Sequence, residues 1–425
     1  MLNKLIKLFK VKELRDRLLI ILLLLAVFRF LAALPIPGVD VLALKQLFEG
    51  NNLLGFLNIF SGGGLSNLSI VMLGLGPYIT ATIIMQLLTM IFPRLKQMYY
   101  EEGTAGRAKF NRYSRWFTVP LAALQSYGFL KLLASQGVFG AAPLTLWAMV
   151  INVITITAGA MILLWIGELI TERKFGNGVS IIIFAGIVSS LPTMLYQAYQ
   201  TYTPAFLTTY IGYVILAMVV IGAIVTVNEA ERKVPISYAK RIRGNKVYGG
   251  SSSYLPLRVN QAGVIPIIFA ISILMFPQIL AHIISAFSTT WGVAMNDWVT
   301  ANISNNNLVY GLLYFTLVFM FTYFYLAVNF DPNEISKNLQ RSGGFVAGVR
   351  PGESTAHFLK SIIARITLFG ATFLGLIAIL PIVVSALTNS QVLTLGGTAL
   401  LIVVSVALET SKQIDSQLAV REYEN

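Results

Sequence analysis

The chain is a succession of long apolar stretches separated by shorter polar gaps. Since an α-helix needs about 20 mostly apolar residues to cross the hydrocarbon core of a bilayer, each long stretch is a candidate membrane-spanning helix. The pattern predicts ten such helices and an all-α fold. The ten segments are 18–34, 69–92, 114–134, 146–170, 179–198, 207–227, 263–284, 308–328, 364–384 and 394–410.

The composition supports the same class. Of the 425 residues, 56% are hydrophobic and 12% are charged, whereas soluble domains carry about twice that charged fraction. A net charge of +13 would suggest a nucleic-acid partner in a soluble protein. In a membrane protein, the excess of basic residues in cytoplasmic loops predicts most of that charge. The chain is therefore interpreted as a multi-pass membrane protein.

The basic residues occupy alternate gaps. Lysine and arginine are retained on the cytoplasmic side of membrane proteins, so both termini are predicted to be cytoplasmic. Residues 1–17 mix apolar side chains with lysines, which predicts an amphipathic helix on the inner leaflet, and residues 411–425 are predicted to form a cytoplasmic tail. Of the 31 basic residues, 28 lie in 1–17, 93–115, 171–178, 228–262, 329–365 and 411–425.

An odd number of spans in each half of the chain gives the two halves opposite orientations. The first half, residues 18–200, and the second, 201–410, each contain five predicted spans. Proteins built from such inverted, pseudo-symmetric halves place their working site near the midplane between them. The gap after the first span contains a short apolar segment with a glycine run, residues 55–67. From composition alone, a re-entrant plug helix and an interfacial helix fit this segment equally well.

The sequence lacks the usual catalytic constellations. It has no cysteine, and its two histidines, His282 and His357, lie in different segments, so it predicts neither a thiolate site nor a paired-histidine metal site. No glycine loop followed by lysine and serine or threonine indicates a nucleotide site. Glu168 lies within about a turn of Glu172 and Arg173 near the end of the fourth span, which favours a satisfied interfacial carboxylate over a proton relay. We expect no enzyme activity, cofactor or metal.

Several short strings, in the same order along the chain, carry a family resemblance. Glycine and proline open the second span in Gly76–Ile84, and an asparagine between two glycines precedes the fifth span in Gly176–Ser180. Taken together, the strings closely resemble those of the SecY/Sec61-alpha family of protein-conducting channels, from the first span to the last. The remaining strings are Tyr238–Arg241, Tyr254–Leu257, Asn260–Pro266, Val349–Glu353 and Gly396–Thr398.

The resemblance implies a fold, a function and a set of partners. It implies an hourglass pore between two five-helix halves that hinge between spans five and six, with a lateral gate between spans two and three and spans seven and eight. The expected function is that of the central channel of the Sec translocon in the bacterial cytoplasmic membrane. Such a channel passes unfolded secretory proteins and releases transmembrane segments sideways into lipid. The implied partners are the small subunits SecE and SecG, the SecA motor, the ribosome, clients with signal sequences, and the lipid bilayer.

The resemblance also places a pore ring of aliphatic side chains at the waist. Ile79 and Ile83 are four residues apart, as are Val179 and Ile183, so each pair shares a helix face. Stiff β-branched side chains can close a pore by dewetting and can part for a peptide without demanding hydrogen bonds from it. Without the resemblance, such pairs are usually packing positions. The ring positions are Ile79, Ile83, Val179, Ile183, Ile268 and Ile402.

The segment 55–67 then resembles the plug that fills the funnel on the outer side. Its glycines impose little steric restriction, which suits a segment that swings away. Deleting it is expected to leave a leaky channel. The plug residues are Phe56, Ile59, Phe60, Gly62, Gly63, Gly64 and Leu65.

The loops 228–262 and 329–365 are longer than helix connections require, and their basic character suggests a docking surface. In the family they receive the ribosome or the SecA motor. Topology alone explains most charges of the first loop, but it explains Arg350 less well, because a single charge in a glycine-rich tip is a poor topology signal. The docking candidates are Lys240, Arg241, Arg243, Lys246 and Arg350.

Polar residues inside the second, third and seventh spans are candidates for the lateral gate. Packing between helices explains them about as well. They are Thr82, Gln86, Gln125 and Ser272.

A secondary transporter is the main alternative, because ten helices in inverted halves also suit alternating access. It predicts ionisable groups at the midplane and a binding pocket, whereas this chain offers an aliphatic waist and long basic loops. An intramembrane enzyme is a third interpretation, but no span shows an obvious aspartate pair or a histidine near an acid. A passive channel, driven by a motor, a ribosome or the membrane potential, is the favoured reading.

Overall fold

The structure is a computed structural model of a predominantly helical protein. It describes residues 11–37, 63–65, 67–135, 137–139, 145–200, 204, 207–238, 241–243, 246–248, 252–287, 289–299, 301–302, 307–388 and 397–424. Within these ranges the helices are α1 (Lys12–Ala33), α2 (Gly76–Ile91), α3 (Pro93–Tyr100), α4 (Gly103–Ser135), α5 (Leu146–Glu172), α6 (Gly178–Gln200), α7 (Leu207–Glu229), α8 (Ile265–Phe287), α9 (Thr289–Val299), α10 (Asn307–Asn329), α11 (Pro332–Arg341), α12 (Glu353–Thr388) and α13 (Gly397–Glu424). The strands are β1 (Glu231–Tyr238), β2 (Arg241–Arg243), β3 (Lys246–Tyr248), β4 (Ser252–Arg258) and β5 (Gly344–Val346).

Four helical stretches of the described chain are long and apolar enough to cross a membrane. They are Leu146–Glu172, Leu207–Glu229, Leu308–Arg341 and Glu353–Ala386. Helices α2 and α3 meet at a bend of 115° and make a fifth candidate if they are taken as one broken span. The chain is therefore a multi-pass membrane protein, as its hydropathy predicts.

Each of the ten predicted apolar segments overlaps a helix, but several boundaries differ. The predicted segment 69–92 is shortened, because residues 69–75 form turns and α2 begins only at Gly76. Gly74 adopts a positive φ of 56°, a conformation that ends or precedes regular helix. Pro77 then occupies the first turn, where its missing N–H removes no helical hydrogen bond.

Three helices extend beyond the apolar segments that predicted them. Helix α4 begins at Gly103, α12 begins at Glu353, and α13 continues through the predicted tail as far as Glu424. Hydropathy detects only the part of a helix that is apolar, whereas the backbone continues wherever propensity and packing permit. The tail described by the structure is thus a helical continuation of the last span.

The two long basic loops contain the strands, which corrects the all-α prediction. Strand β1 pairs antiparallel with β4 on one side and with β5 on the other, giving the sheet order β4-β1-β5. In β1, Val234 and Ile236 are buried while Lys233 and Pro235 are exposed, the alternation that a strand with one covered face requires. A separate hairpin joins β2 and β3.

The sheet and α12 enclose a small core of their own. This core joins the loops 228–262 and 329–365 into one structural unit, because β5 belongs to the second loop and β1 and β4 to the first. Its buried members are Val234, Leu257, Val346, Leu359 and Ile362.

The main core lies between the long helices, and it includes contacts between the two halves of the chain. Helix α8 packs against α2 and α4, and helix α13 packs against α6, α7 and α12. The sequence halves therefore meet through α8 and α13. Among the fully buried side chains of this core are Phe28, Ile156, Leu163, Leu374 and Leu401.

A polar network joins three segments of the second half of the chain. The Asn260 side-chain amide donates to the carbonyl oxygen of the Asn228 side chain at 2.8 Å, and the Asn228 amide donates to the Ser405 hydroxyl at 2.7 Å. The Gly263 N–H donates to the Asn260 side-chain oxygen at 3.0 Å. The network ties the end of α7 and the start of α8 to α13, one turn from Ile402.

Candidate functional site

A cavity of about 770 Å³ opens between helices of both halves. Helices α2, α4, α5 and α6 of the first half contribute to its wall, together with α8, α10 and α13 of the second half. The wall contains aliphatic side chains as well as amides, hydroxyls and carboxylates.

Four of the six predicted ring residues line the cavity and are hereafter called the floor. Helix α2 contributes Ile79, α6 contributes Val179 and Ile183, and α8 contributes Ile268. Since these helices come from both halves of the chain, the floor is closed by side chains from opposite sides. The other two ring positions, Ile83 and Ile402, are 3% and 1% exposed and do not line the cavity.

The turn before α6 positions Val179. The side-chain oxygen of Asn177 accepts hydrogen bonds from the N–H groups of Val179 and Ser180, at 3.0 and 3.4 Å, which satisfies donors that the first turn of a helix leaves unpaired. The Gly178 N–H donates to the Thr171 hydroxyl at 2.9 Å. The Asn-Gly pair thus caps α6 and fastens it to the end of α5.

Gly178 also brings α6 unusually close to α5. A Cβ atom added at Gly178 would lie 1.8 Å from the Gly167 carbonyl oxygen, a distance that no side chain can occupy. Close backbone approach between small residues is a common way to pack membrane helices. This contact sets the position of the floor residues of α6 relative to α5.

Four charged side chains of the described lining are hereafter called the mouth: Arg115, Glu168, Glu172 and Glu409. The Arg115 Nε and Glu168 Oε1 atoms are 2.5 Å apart and connect α4 to α5. Their side chains are 46% and 29% exposed, so the pair lies at the edge of the protein interior. The sequence predicted a satisfied Glu168, and its partner comes from another helix.

Two carboxylates of the mouth remain without an ion pair among the described residues. Glu172 is the last residue of α5, and Glu409 lies on α13; both are exposed. Sequence analysis did not select Glu409, because no motif includes it. The signal in the sequence is weak, because Glu409 is marked only by following the apolar part of the tenth segment directly.

The lateral-gate candidates separate into two groups. Thr82 and Gln86 of α2 line the cavity, whereas Gln125 of α4 and Ser272 of α8 do not. The hydroxyl groups of Thr82 and Ser272 donate to backbone carbonyls one turn earlier, at 2.9 Å each. The side-chain oxygen of Gln86 is buried and has no hydrogen-bond partner among the described residues.

Most of the predicted plug lies outside the described residues, including Phe56, Ile59, Phe60 and Gly62. The described end of the segment is packed into the protein: Gly64 and Leu65 are buried, and Gly63 has a positive φ of 82°. The turns that follow approach α5 closely, since a Cβ added at Gly159 would lie 2.0 Å from the Ile70 carbonyl oxygen.

The docking candidates lie on the sheet unit and the neighbouring hairpin. Arg350 is exposed in the turn between β5 and α12, and the Thr355 hydroxyl donates to its carbonyl oxygen at 2.8 Å. Gly352, with a φ of 101°, shapes this turn, and its carbonyl oxygen accepts from the Ser336 hydroxyl at 2.5 Å. Arg241 and Arg243 lie on β2 and Lys246 on β3, while Lys240 lies outside the described residues.

The chemistry available in the cavity is binding and sealing. Among the described residues no group of three or more His, Cys, Asp or Glu side chains could hold a metal ion. An aliphatic floor excludes ions because it offers no ligand to replace their hydration. A polar mouth accepts hydrogen bonds and attracts cations.

Comparison with known proteins gives a single family. A family model described as SecY matches residues 69–411. The protein translocase subunit SecY of Streptomyces coelicolor is 41% identical over 439 residues, with 100% of this chain and 99% of the relative covered. The subunit of the same name from Mycobacterium bovis is 39% identical over 444 residues, again covering 100% of this chain and 99% of the relative.

Solved structures with a similar fold have low sequence identity. A protein-conducting channel has a TM-score of 0.62 and 19% identity, with 93% of this chain and 90% of that chain covered. Sec61 in a canine ribosome-channel complex has a TM-score of 0.60 and 17% identity, with the same coverage of 93% and 90%. These structures support the fold described above.

Proposed function

The chain belongs to the SecY family, and from this premise we propose that it is the central protein-conducting channel of a Sec translocon. It passes unfolded secretory proteins across the membrane and releases transmembrane segments sideways into lipid. Relatives that match over their whole length are named as translocase subunits, and the chain itself contains no catalytic constellation in its sequence.

The observation that carries this proposal is the aliphatic floor of the cavity. Ile79, Val179, Ile183 and Ile268 come from three helices and both halves of the chain. A waist of this kind resists water and ions, yet it makes no specific demand on a passing chain. A transporter would instead need polar or ionisable groups at this depth.

We propose that ten helices cross the bacterial cytoplasmic membrane as two inverted halves, with both termini in the cytoplasm. The concentration of basic residues in alternate gaps supports this orientation. Within it, the mouth of the cavity faces the cytoplasm, because Arg115 lies in the basic gap 93–115 and both Glu168 and Glu409 lie within three residues of a basic gap. Residues 55–67 are proposed as the plug, and deleting them should raise the ion conductance of the resting channel.

The lateral gate is proposed at the contact of α8 with α2 and α4. These helices pack directly against one another, and Thr82 and Gln86 face the cavity close to that contact. Polar side chains at this contact weaken the apolar packing between the helices. A sufficiently apolar client segment can therefore displace the helix–helix contact and pack against the helices itself. Gln125 and Ser272 are proposed as members of the gate outside the cavity.

The sheet unit and the hairpin are proposed as the docking surface for a SecA motor or a ribosome, and SecE and SecG as membrane partners. Two similar structures are of channels bound to ribosomes, Sec61 and Ssh1. In this chain Arg350 lies between β5 and α12, on a folded unit with its own core. A partner that binds this unit contacts a rigid body, since both loops contribute strands to one sheet.

Site-specific crosslinking of a stalled client tests the channel proposal. A photoreactive residue replaces Ile268 in the floor or, as a control, Val219, which is 63% exposed on α7. We expect a client arrested halfway through translocation to crosslink to position 268 and not to position 219. Crosslinks at neither position, with translocation intact, would show that clients take another route.

Charge reversal at Arg350 tests the docking proposal. We expect Arg350→Glu to insert and fold normally but to lose most translocation, because an exposed cation that grips an acidic or phosphate group becomes repulsive. Lys337→Glu is the matched control, since Lys337 is exposed on α11 in the same loop. Wild-type export by Arg350→Glu, or equal loss in both variants, would remove Arg350 from the docking surface.

A further inference from the structure

Helix α9 lies between two proposed membrane spans, on the outer side. Helix α8 follows the basic loop 228–262, so in the proposed topology it starts at the cytoplasmic side and ends, at Phe287, at the outer surface. Helix α9 begins at Thr289 and packs against α8. Helix α10, the next proposed span, begins at Asn307. Because both neighbouring helices cross the membrane, α9 lies near the outer boundary between lipid and water.

The side chains of α9 form a buried face and an exposed aromatic stripe beside it. Gly292 and Val299 are buried, and their spacing of seven residues puts them on one face of the helix. Trp291, Met295 and Trp298 follow the spacing i, i+4 and i+7, which puts them on a neighbouring stripe. The two tryptophans are 73% and 61% exposed, and Met295 is half-buried. Helix α9 therefore presents two large aromatic side chains away from the protein.

Polar side chains lie on the far side of α9 from the buried face. Residues two positions apart on an α-helix are separated by about 160°, so Thr290 and Asp297 lie opposite Gly292 and Val299. Both polar residues are exposed. Val293 is exposed beside them, and single apolar residues on a surface are common. In a helix at a membrane surface, this arrangement turns the aromatic stripe to lipid and the carboxylate to water.

The tryptophans indicate what covers the stripe. All five tryptophans of the chain are between 61% and 74% exposed, whereas tryptophan is highly buried on average in soluble proteins. At a membrane surface the indole ring contacts acyl chains while its N–H donates to the headgroup region, and tryptophan is enriched there. Trp147, at the start of α5, is another example on the outer side. The chemistry of the stripe therefore fits lipid.

We propose that Trp291, Met295 and Trp298 bind the headgroup region of the outer leaflet and thereby anchor the outer end of α8. The role of this anchor rests on the proposed function. Helix α8 packs against α2 and α4 at the proposed lateral gate, so α8 moves when the gate opens. A single residue separates α9 from α8, so α9 moves with it. The lipid that holds the stripe resists this movement and keeps the gate closed.

Fluorescence quenching tests the position of the stripe independently of transport. In one variant Trp298 is the single tryptophan, because phenylalanine replaces the other four. In the matched control, Trp298→Phe and Asp297→Trp move the indole by one residue, onto the polar side of α9. Each variant is placed in the complete translocon, in vesicles of phosphatidylethanolamine and phosphatidylglycerol with or without brominated acyl chains, which quench indoles that touch them. A variant without tryptophan gives the background of the other subunits.

We expect brominated lipid to quench Trp298 several-fold more than the indole at position 297, because the two positions are about 100° apart on the helix. Equally weak quenching at both positions would overturn the inference, since the stripe would then face water. Quenching of Trp298 in the isolated chain but not in the complete translocon would also overturn it, and would assign the stripe to a protein partner.

The release of a marginally apolar client segment into lipid tests the effect on the gate. We expect Trp291→Ala with Trp298→Ala to release this segment about fivefold faster than wild type, equivalent to about 1 kcal/mol in the barrier. Replacing both tryptophans by phenylalanine should retain part of the anchor and give a smaller increase. Trp147→Ala is the control, because it removes an indole that is also 73% exposed from a helix other than α8 and α9. Its release rate should equal that of wild type.

The two experiments separate the anchor from the proposed function. Equal release rates in wild type and the double alanine variant would show that the stripe does not hold the gate. An equal increase in Trp147→Ala would show a general effect of outer aromatic side chains and would also overturn the anchor. If the intact wild-type translocon transports no client while Trp298 is still quenched, the proposed function fails and the lipid contact stands.

Discussion

The floor and the mouth of the cavity are built on opposite principles and from different helices. The floor is aliphatic, comes from three helices and makes no polar contact in the cavity. The mouth holds one ion pair and two further carboxylates, carried by α4, α5 and α13. The comparison teaches that one cavity combines an aliphatic lining, which suits sealing, with a charged lining, which suits polar contacts.

Gly178 lies where α6 packs against α5, and its substitution has the largest expected effect on the free energy of unfolding. Gly178→Ala should lower the free energy of unfolding by more than about 3 kcal/mol, because the new Cβ meets the Gly167 carbonyl oxygen and cannot be accommodated without moving α6 from α5. Thermal unfolding of the purified protein in detergent measures the change.

Gly222→Ala is the control for this substitution. A Cβ at Gly222 meets nothing within 4 Å, and alanine in the middle of α7 should stabilise the helix by up to about 1 kcal/mol. Unfolding midpoints that are equal for the two variants would show that the close approach of α5 and α6 does not position the floor.

Ile402, a ring position that does not line the cavity, should affect the free energy of unfolding more than the ion permeability. Ile402 is 1% exposed, so Ile402→Ala should leave a cavity and lower the free energy of unfolding by about 3 kcal/mol. The resting ion conductance in planar bilayers should change little, because the floor residues remain. A large leak with unchanged stability would place Ile402 in the seal itself and break the distinction between four lining and two buried ring positions.

A polar group in the floor should affect permeability instead. Ile268→Asn should raise the resting ion conductance by about tenfold, equivalent to about 1.4 kcal/mol in the barrier, since an amide hydrates a dewetted constriction. Ile268→Val should leave the conductance unchanged. At the mouth, Glu409→Gln should also have no effect, and a leak there as large as that of Ile268→Asn would erase the difference between the two sets of residues.

The ion pair of the mouth has the smallest expected effect. In a double-mutant cycle with Arg115→Gln and Glu168→Gln, the coupling energy should not exceed about 1 kcal/mol, because both side chains are partly exposed and water screens them. Unfolding midpoints of the wild type, both single variants and the double variant give the value. A coupling above about 3 kcal/mol would be typical of a desolvated pair.

The sequence was sufficient for the helices and for part of the floor. Long apolar stretches predict helices because every backbone group in a membrane needs an internal partner. Spacing of four residues placed Ile79 and Ile83 on one face, but spacing cannot tell which of them faces a cavity. In the structure Ile83 turns into the packed interior of α2 and its neighbours.

Features that depend on contacts between distant segments were missed. Glu168 has Arg173 close by in sequence, yet it pairs with Arg115 on another helix, a choice made by helix packing alone. The sheet was also missed, although Val234 and Ile236 alternate with polar residues in β1. A strand of 8 residues between two membrane helices gives a weaker signal than the apolar segments on either side.

The central position of β1 has a consequence for engineering the protein. Since β1 is hydrogen-bonded to β4 on one edge and to β5 on the other, grafting either cytoplasmic loop from a relative replaces only part of one sheet. A chimaera that exchanges residues 228–262 alone would leave β5 facing a foreign neighbour. The two loops must be transplanted, and will have diverged, as a matched set.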